Sequence, residues 1–284
     1  MNLKVFFELI RYKSYLKNLI IFLPLFLTYS SWSVLNFTEL FTIFLFFCFL
    51  TSSIYIINDV FDVDLDKKHK KKKYRPIASD KVSTGTAIKI SLILCVISLT
   101  YFFIFSNNFI FYLALSYLIT NFSYSYFLKK IKYVDLLTIV FGFIIRIYIG
   151  SFASDIVLSN FLIFQIVLFV LFVLICKRRE YFFSFEKNVS SKYSIIELNF
   201  LSKLFLFLNI LNYLFYIFNY KIFINSLVLF ISLLIYSTLL LRYFVINFKN
   251  KEFDPITIYL RDKYLILLSV VYIINFIFGF YGFY

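Results

Sequence analysis

Long apolar stretches separated by short polar breaks run through all 284 residues. A helix that crosses a bilayer takes about 20 apolar residues. Nine stretches of that kind can be read, at 16–34, 38–57, 85–106, 108–127, 134–153, 157–176, 200–218, 222–244 and 264–283. Each is apolar on all sides instead of alternating, which predicts helices and excludes the strands of a membrane barrel. The pattern predicts an all-α, polytopic membrane helical bundle of about nine transmembrane helices. No linker or compositional shift divides it, so residues 1–284 are expected to form a single domain. In residues 1–13, Glu8 and Arg11 interrupt the apolar run, which predicts a short amphipathic helix along the interface and no cleavable signal.

The polar breaks are unequal. Those at 35–37, 106–108, 154–156 and 219–221 are minimal, whereas 58–84, 177–199 and 245–263 are long. With the N-terminus placed in the cytoplasm, all three long breaks fall on the inner side, and 27 of the 29 Lys and Arg residues fall there too. The exceptions are Lys221 on the outer side and Arg146 inside a span. This asymmetry is the positive-inside pattern. It predicts a cytoplasmic N-terminus, a cytoplasmic site and a C-terminus on the outer side. The net charge of +14 is then mainly a mark of topology. Because it is scattered over short interhelical loops it argues against nucleic acid as a partner, and for anionic lipid headgroups or anionic substrates. With 62% hydrophobic residues and a mean hydropathy of +0.88, a soluble domain is excluded. Cys48, Cys95 and Cys176 are isolated and read as packing residues.

Chemistry concentrates at the first long break. The run Asn58-Asp59-Val60-Phe61-Asp62-Val63-Asp64-Leu65-Asp66 holds four of the nine aspartates. Carboxylates resist leaving water, so packing does not account for them. On one continuous helix Asp59, Asp62 and Asp66 would share a face, with Asn58 beside it. Three carboxylates and an amide oxygen are hard ligands of the kind Mg2+ takes when it also holds a diphosphate. A calcium loop is excluded: Lys67 stands where its tight-turn glycine belongs, and Lys73 where its last acidic ligand belongs. A solvated helix end is the bland alternative. The basic block that follows, from Lys67 to Arg75, favours the metal–diphosphate reading, with Arg75, then Lys73 and Tyr74, as phosphate-binding candidates. His69, the sole histidine, is a weaker candidate.

Asn58-Asp59-x-x-Asp62-x-x-x-Asp66 after the second span resembles the first aspartate-rich motif of the UbiA superfamily of intramembrane prenyltransferases. Within it the sequence is most similar to the decaprenyl-phosphate phosphoribosyltransferase branch, through 58–66, His69 and Lys73 to Ala78. Further similarities are Lys17-Asn18, Gly142-Phe143-x-x-Arg146-x-x-x-Gly150, Lys177-Arg178-Arg179-Glu180 and Leu260-Arg261-Asp262. The resemblance implies a cavity open to the cytoplasmic side of a bacterial plasma membrane. It also implies Mg2+ held by Asn58, Asp59, Asp62 and Asp66, with the three aspartates as the catalytic set. As substrates it implies phosphoribosyl diphosphate and a polyprenyl phosphate, bound by Lys17, Asn18, Asn58, Lys73, Tyr74, Arg75, Arg146, Lys177, Arg178, Arg179 and Glu180. One departure bears on the donor. Ordinary prenyltransferases of the superfamily carry a second Asp-x-x-x-Asp motif in a later inner loop, and residues 177–199 contain no aspartate. That favours one metal site with direct contacts to phosphate, and so phosphoribosyl diphosphate over a prenyl diphosphate.

Arg146 has two readings. A cation inside a span costs about 2.5–3.5 kcal/mol on insertion scales. It is either a structural residue paired with carbonyls or an acid, or a cavity residue that anchors an anion. Lys17 either meets the lipid phosphate or snorkels to the interface. The alternatives to the phosphoribosyl reading are a prenyltransferase with an aromatic acceptor and a non-catalytic membrane protein such as a transporter.

Overall fold

A computed structural model describes residues 2–26, 34–69, 72–184, 192–220, 226–249 and 255–281. Its regular structure among these residues is entirely helical. Six helices are long and apolar enough to cross a membrane: Phe37–Phe61, Thr84–Phe105, Val134–Ala153, Asn160–Arg179, Ile195–Asn219 and Leu227–Lys249. The other three expected spans differ for separate reasons. That at 108–127 is helix α6, Asn108–Tyr126, whose Ser, Thr, Asn and Tyr side chains dilute its apolar character. That at 264–283 is α12, Lys263–Tyr281, of which the apolar stretch Lys263–Asn275 is described in full. That at 16–34 is wound as a 3-10 helix and then a single α-helical turn as far as Phe26, and its residues 27–33 lie outside the described set.

The chain forms two compact units, residues 1–158 and 159–284. In the first, α1 (Leu3–Leu9) starts on Asn2, whose side chain accepts the amide hydrogen of Lys4. The chain reverses at Arg11, which is left-handed with φ 52°, and continues as a 3-10 helix, Tyr12–Phe22, then α2, Leu23–Phe26. A 3-10 helix has three residues per turn, so residues three apart share a face. Here Tyr15, Asn18 and Ile21 are that face: Tyr15 bonds Ser52, and Asn18 and Ile21 are buried. Next come α3 (Val34–Phe61), α4 (Val63–Lys68), α5 (Thr84–Phe105), α6 and α7 (Val134–Ala153). Gly150 on α7 faces the 3-10 segment at a point where a Cβ would lie 1.9 Å from the carbonyl oxygen of Ile21. Only glycine permits that approach. Hydroxyls on the apolar helices turn back to carbonyls of the preceding turn, as Ser98, Thr120 and Ser125 do, leaving outer faces fit for hydrocarbon. On α5 those faces carry exposed Leu92, Ile93, Val96 and Phe103, a surface that requires lipid contact.

The second unit contains α8 (Asn160–Ser184), α9 (Ile195–Tyr220), α10 (Ser226–Lys249), α11 (Pro255–Arg261) and α12. Residues 177–184, expected within an inner loop, instead extend α8 by two turns, and α11 occupies much of the expected loop at 245–263. Phe172, Cys176, Leu240, Ile258 and Leu265 make its apolar core. A polar network ties its helices together: Gln165 donates to Asn209 at 3.1 Å and to Tyr236 at 2.7 Å, and Asn212 donates to Gln165 at 2.7 Å.

Candidate functional site

One apolar cluster in the first unit sets the geometry of the acidic run. Leu9, Ile56, Ile77, Val82 and Ala87 are buried together. Each of the first three lies two or three residues from a charged side chain. Leu9 precedes Arg11, Ile56 lies one helical turn before Asp59, and Ile77 follows Arg75 after Pro76. Burying the three apolar residues in one place therefore brings the three charges together. The left-handed turn at Arg11 aims its guanidinium at Asp59, with Nε 3.0 Å from Oδ2 and Nη2 in contact with Oδ1. Arg75 Nη1 lies 3.0 Å from Asp59 Oδ1 and 2.5 Å from Asp66 Oδ2, so one guanidinium nitrogen sits between two carboxylates. Both carboxylates are nearly sealed, Asp59 at 3% and Asp66 at 2% exposure. Lys72 Nζ approaches Asp66 Oδ1 at 3.9 Å. Burial pushes the Lys72 ammonium below its ordinary range and the Arg75 charge adds to this, while Asp66 and Asp62 pull the other way. His69 takes a local part, its Nδ1 accepting the backbone N–H of Lys72 at 3.3 Å.

The three aspartates do not share one face of one helix. Helix α3 ends at Phe61, Asp62 adopts φ −97° and ψ 6°, and α4 starts at Val63. Asp62 has partners of its own. It meets Lys129 Nζ at 2.5 Å through Oδ1 and accepts from Asn58 Nδ2 at 3.1 Å through Oδ2. Among the described residues no three acidic, His or Cys side chains stand close enough to cage an ion. Mg2+ commonly binds through one or two carboxylates and completes its shell with water and substrate phosphates. Asp59 and Asp66, already converging on a single cationic nitrogen, fit that habit, with Asp62 and the Asn58 amide oxygen as further hard donors. Four cations (Arg11, Lys72, Arg75 and Lys129) face three carboxylates (Asp59, Asp62 and Asp66). These seven side chains carry one positive charge in excess, which an anion would offset.

The remaining candidates divide. Lys73 and Tyr74 are exposed and stack on each other 5.1 Å apart, so Lys72 and not Lys73 is the lysine turned toward the acids. Lys17 is exposed. Asn18 and Arg146 are buried partners: Arg146 Nε donates to Asn18 Oδ1 at 2.8 Å, Nη1 to the Gly142 carbonyl at 2.6 Å and Nη2 to the Tyr117 hydroxyl at 2.6 Å. The rings of Phe47, Tyr117 and Phe143 surround the guanidinium. The partners of Arg146 are thus an amide, a carbonyl and a phenol, with no acid among them. In the second unit Arg179 is spent on structure, bonding Asn199 Oδ1 at 2.9 Å and the Asn247 carbonyl at 2.8 Å and stacking on Phe248. Lys177 is exposed and Arg178 half-buried; Glu180 lies in α8, with its side chain outside the described set. Sequence reasoning passed over Arg11, Lys72 and Lys129 as site residues because each stood among cations already explained by topology. The usable signal for Arg11 was its place near the end of the amphipathic segment, shortly before the first expected span.

These features define a class: a polytopic helical membrane protein with an acid–cation site where a long apolar helix breaks. The family model for the UbiA prenyltransferase family matches residues 19–182, more than half of the chain, and the protein belongs to that family. A decaprenyl-phosphate phosphoribosyltransferase of Mycolicibacterium smegmatis is 34% identical over 135 residues, covering 48% of this chain and 42% of the relative. The match thus spans less than half of that relative's length. Digeranylgeranylglyceryl phosphate synthase of Sulfolobus acidocaldarius is 28% identical over 170 residues, 60% of each protein. A solved UbiA homolog from Archaeoglobus fulgidus, bound to GPP and Mg2+, superposes with a TM-score of 0.69 over 96% of this chain and 98% of its own. At 16% identity that likeness establishes the fold. The chain is an integral membrane protein of this family.

Proposed function

We propose that the protein transfers a 5-phosphoribosyl group from phosphoribosyl diphosphate to a polyprenyl phosphate, with Mg2+ held by Asp59, Asp66, Asp62 and Asn58. The observation that carries this reading is the convergence of Arg11, Arg75, Lys72 and Lys129 on the three aspartates, an arrangement suited to a diphosphate and its ion. Identity to a phosphoribosyltransferase and the lack of aspartate in 177–199 favour the ribosyl donor. The bound ion would supply charge neutralisation of the diphosphate leaving group. Arg75 and Lys129 hold the donor's phosphates, and Lys72 offsets negative charge as it develops. The lipid phosphate is already anionic and needs no base. Its oxygen attacks the anomeric carbon on the face opposite the departing diphosphate, and the configuration inverts. On this reading the site faces the cytoplasm, nine helices span the bilayer, and the prenyl tail lies among apolar side chains.

A prenyltransferase using the same acids to ionise an allylic diphosphate is the second reading, favoured by the 60% mutual coverage with a digeranylgeranylglyceryl phosphate synthase. Purified protein with Mg2+ and polyprenyl phosphate separates the two. Labelled phosphoribosyl diphosphate is expected to transfer its label to lipid. Label entering product only from a prenyl diphosphate would establish the second reading instead.

A further inference from the structure

We infer that Arg11 is a latch on Asp59 that a divalent ion displaces, and that the released guanidinium then binds the donor's diphosphate. The inference rests on the metal–diphosphate reading of the site and adds a competition to it. Both oxygens of Asp59 are engaged, Oδ2 by Arg11 Nε at 3.0 Å and Oδ1 by Arg11 Nη2 and Arg75 Nη1. An ion of charge +2 joining that carboxylate would stand among two guanidinium charges in a nearly sealed space, where like charges repel strongly. One of them must leave.

Arg11 is built to be the one that leaves. Arg75 is held twice, by Asp59 and Asp66, whereas Asp59 is the acid that Arg11 engages. The Arg11 backbone is pinned on both sides. Its N–H donates to the Glu8 carbonyl at 3.2 Å, its carbonyl accepts from Ser14 at 2.8 Å, and Ser52 holds the Ile10 carbonyl at 2.8 Å. The strained left-handed conformation at φ 52° is therefore kept by its surroundings, as at other functional turns. With the main chain fixed, only the side chain can swing. Its guanidinium rests over the Tyr55 ring at 5.3 Å, and the side chain is as open as that of Arg75, 22% against 24% exposed, so it is the second acid on Arg75 that decides between them. A fork of N–H donors released beside bound diphosphate finds the partner for which its geometry is suited. The exchange keeps the buried carboxylate compensated both before and after substrate arrives.

The latch predicts two effects of opposite sign. In lipid nanodiscs, Mn2+ binding is read by electron paramagnetic resonance, and inorganic diphosphate binding is read calorimetrically at saturating Mn2+. Arg11→Gln is expected to bind Mn2+ alone about tenfold more tightly and Mn2+-diphosphate about tenfold more weakly, a coupling of ordinary size. Arg11→Lys, which keeps the charge and loses the fork, should lie between wild type and Arg11→Gln in both, and serves if the Gln variant does not fold. Loss of both affinities would make Arg11 a prop for Asp59 and overturn the latch, as would no change in either. Wild-type protein that binds no Mn2+ even with diphosphate present would overturn the metal reading itself, a result distinguishable from the first two.

Discussion

At the residue scale, Asp62 and Arg146 are opposites. Asp62 sits at a helix break, partly open, and pairs with Lys129 from a distant turn. Arg146 is 4% exposed and surrounded by neutral partners and aromatic rings. Asp62→Asn keeps the shape and removes the charge, so the transfer rate is expected to fall about 100-fold or more while the thermal midpoint holds; steady-state rates and a melting curve check both. Arg146→Lys is expected to do the reverse. An ammonium cannot reach Asn18, Tyr117 and the Gly142 carbonyl in one plane, and each buried group left unpaired costs about 1–3 kcal/mol. The midpoint should drop with the donor KM unchanged; a raised KM at an intact midpoint would return Arg146 to the substrate site. Arg146 and Asp62 were both legible in the sequence as candidates. That Arg146 is paired with Asn18, far away in the chain, was not, because periodicity carries no information about which spans are neighbours.

At the element scale, hydrophobic periodicity located the helices but not their irregularities. The single helical face expected for Asp59, Asp62 and Asp66 is lost to one residue, Asp62, whose dihedrals separate α3 from α4. The local signal for that break is faint: Asp62 is a favoured residue at a helix start, but Val60, Phe61 and Val63 would all continue a helix in an apolar setting. Tertiary pairing with Lys129 accompanies it. The 3-10 winding of residues 12–22 is similarly fixed by what Tyr15, Asn18 and Ile21 touch. In the second unit a cap and an ion pair coincide at Asp262. Its carboxylate accepts from the backbone N–H groups of Tyr264 and Leu265, which starts α12, and it forks onto Arg242 of α10 at 2.8 and 2.9 Å. The Arg242 hydrogen bonds foremost hold the Asp262 carboxyl below the usual carboxylate range. A folded-state pKa lower than the unfolded one adds stability above the unfolded value and loses it as the pH falls through the folded value. Thermal midpoints of wild type and Asp262→Asn should therefore differ by a constant amount from pH 7 to about 5 and converge below about 4, the ordinary aspartate range. A gap that does not begin to narrow as the pH falls below about 4 would show that the cap alone, and not the charge, is responsible.

At the scale of the whole molecule, membrane character and family were the most legible features, because composition and one motif decide them. The three cations added to the site, Arg11, Lys72 and Lys129, were illegible because positive charge is abundant in the polar breaks of the chain, and sequence does not say which members of a crowd turn inward. The acid–cation cluster is carried within residues 1–158, since all seven of its charged residues belong to that unit. The central claim is that these acids hold a divalent ion and the ion holds a diphosphate. Calorimetric titration of the purified protein with inorganic diphosphate, with and without Mg2+, tests it most directly. Diphosphate is expected to bind wild type only when Mg2+ is present, and the Asp59→Asn/Asp66→Asn variant not at all. Equal binding after chelation of Mg2+, or undiminished binding by that variant, would contradict the account.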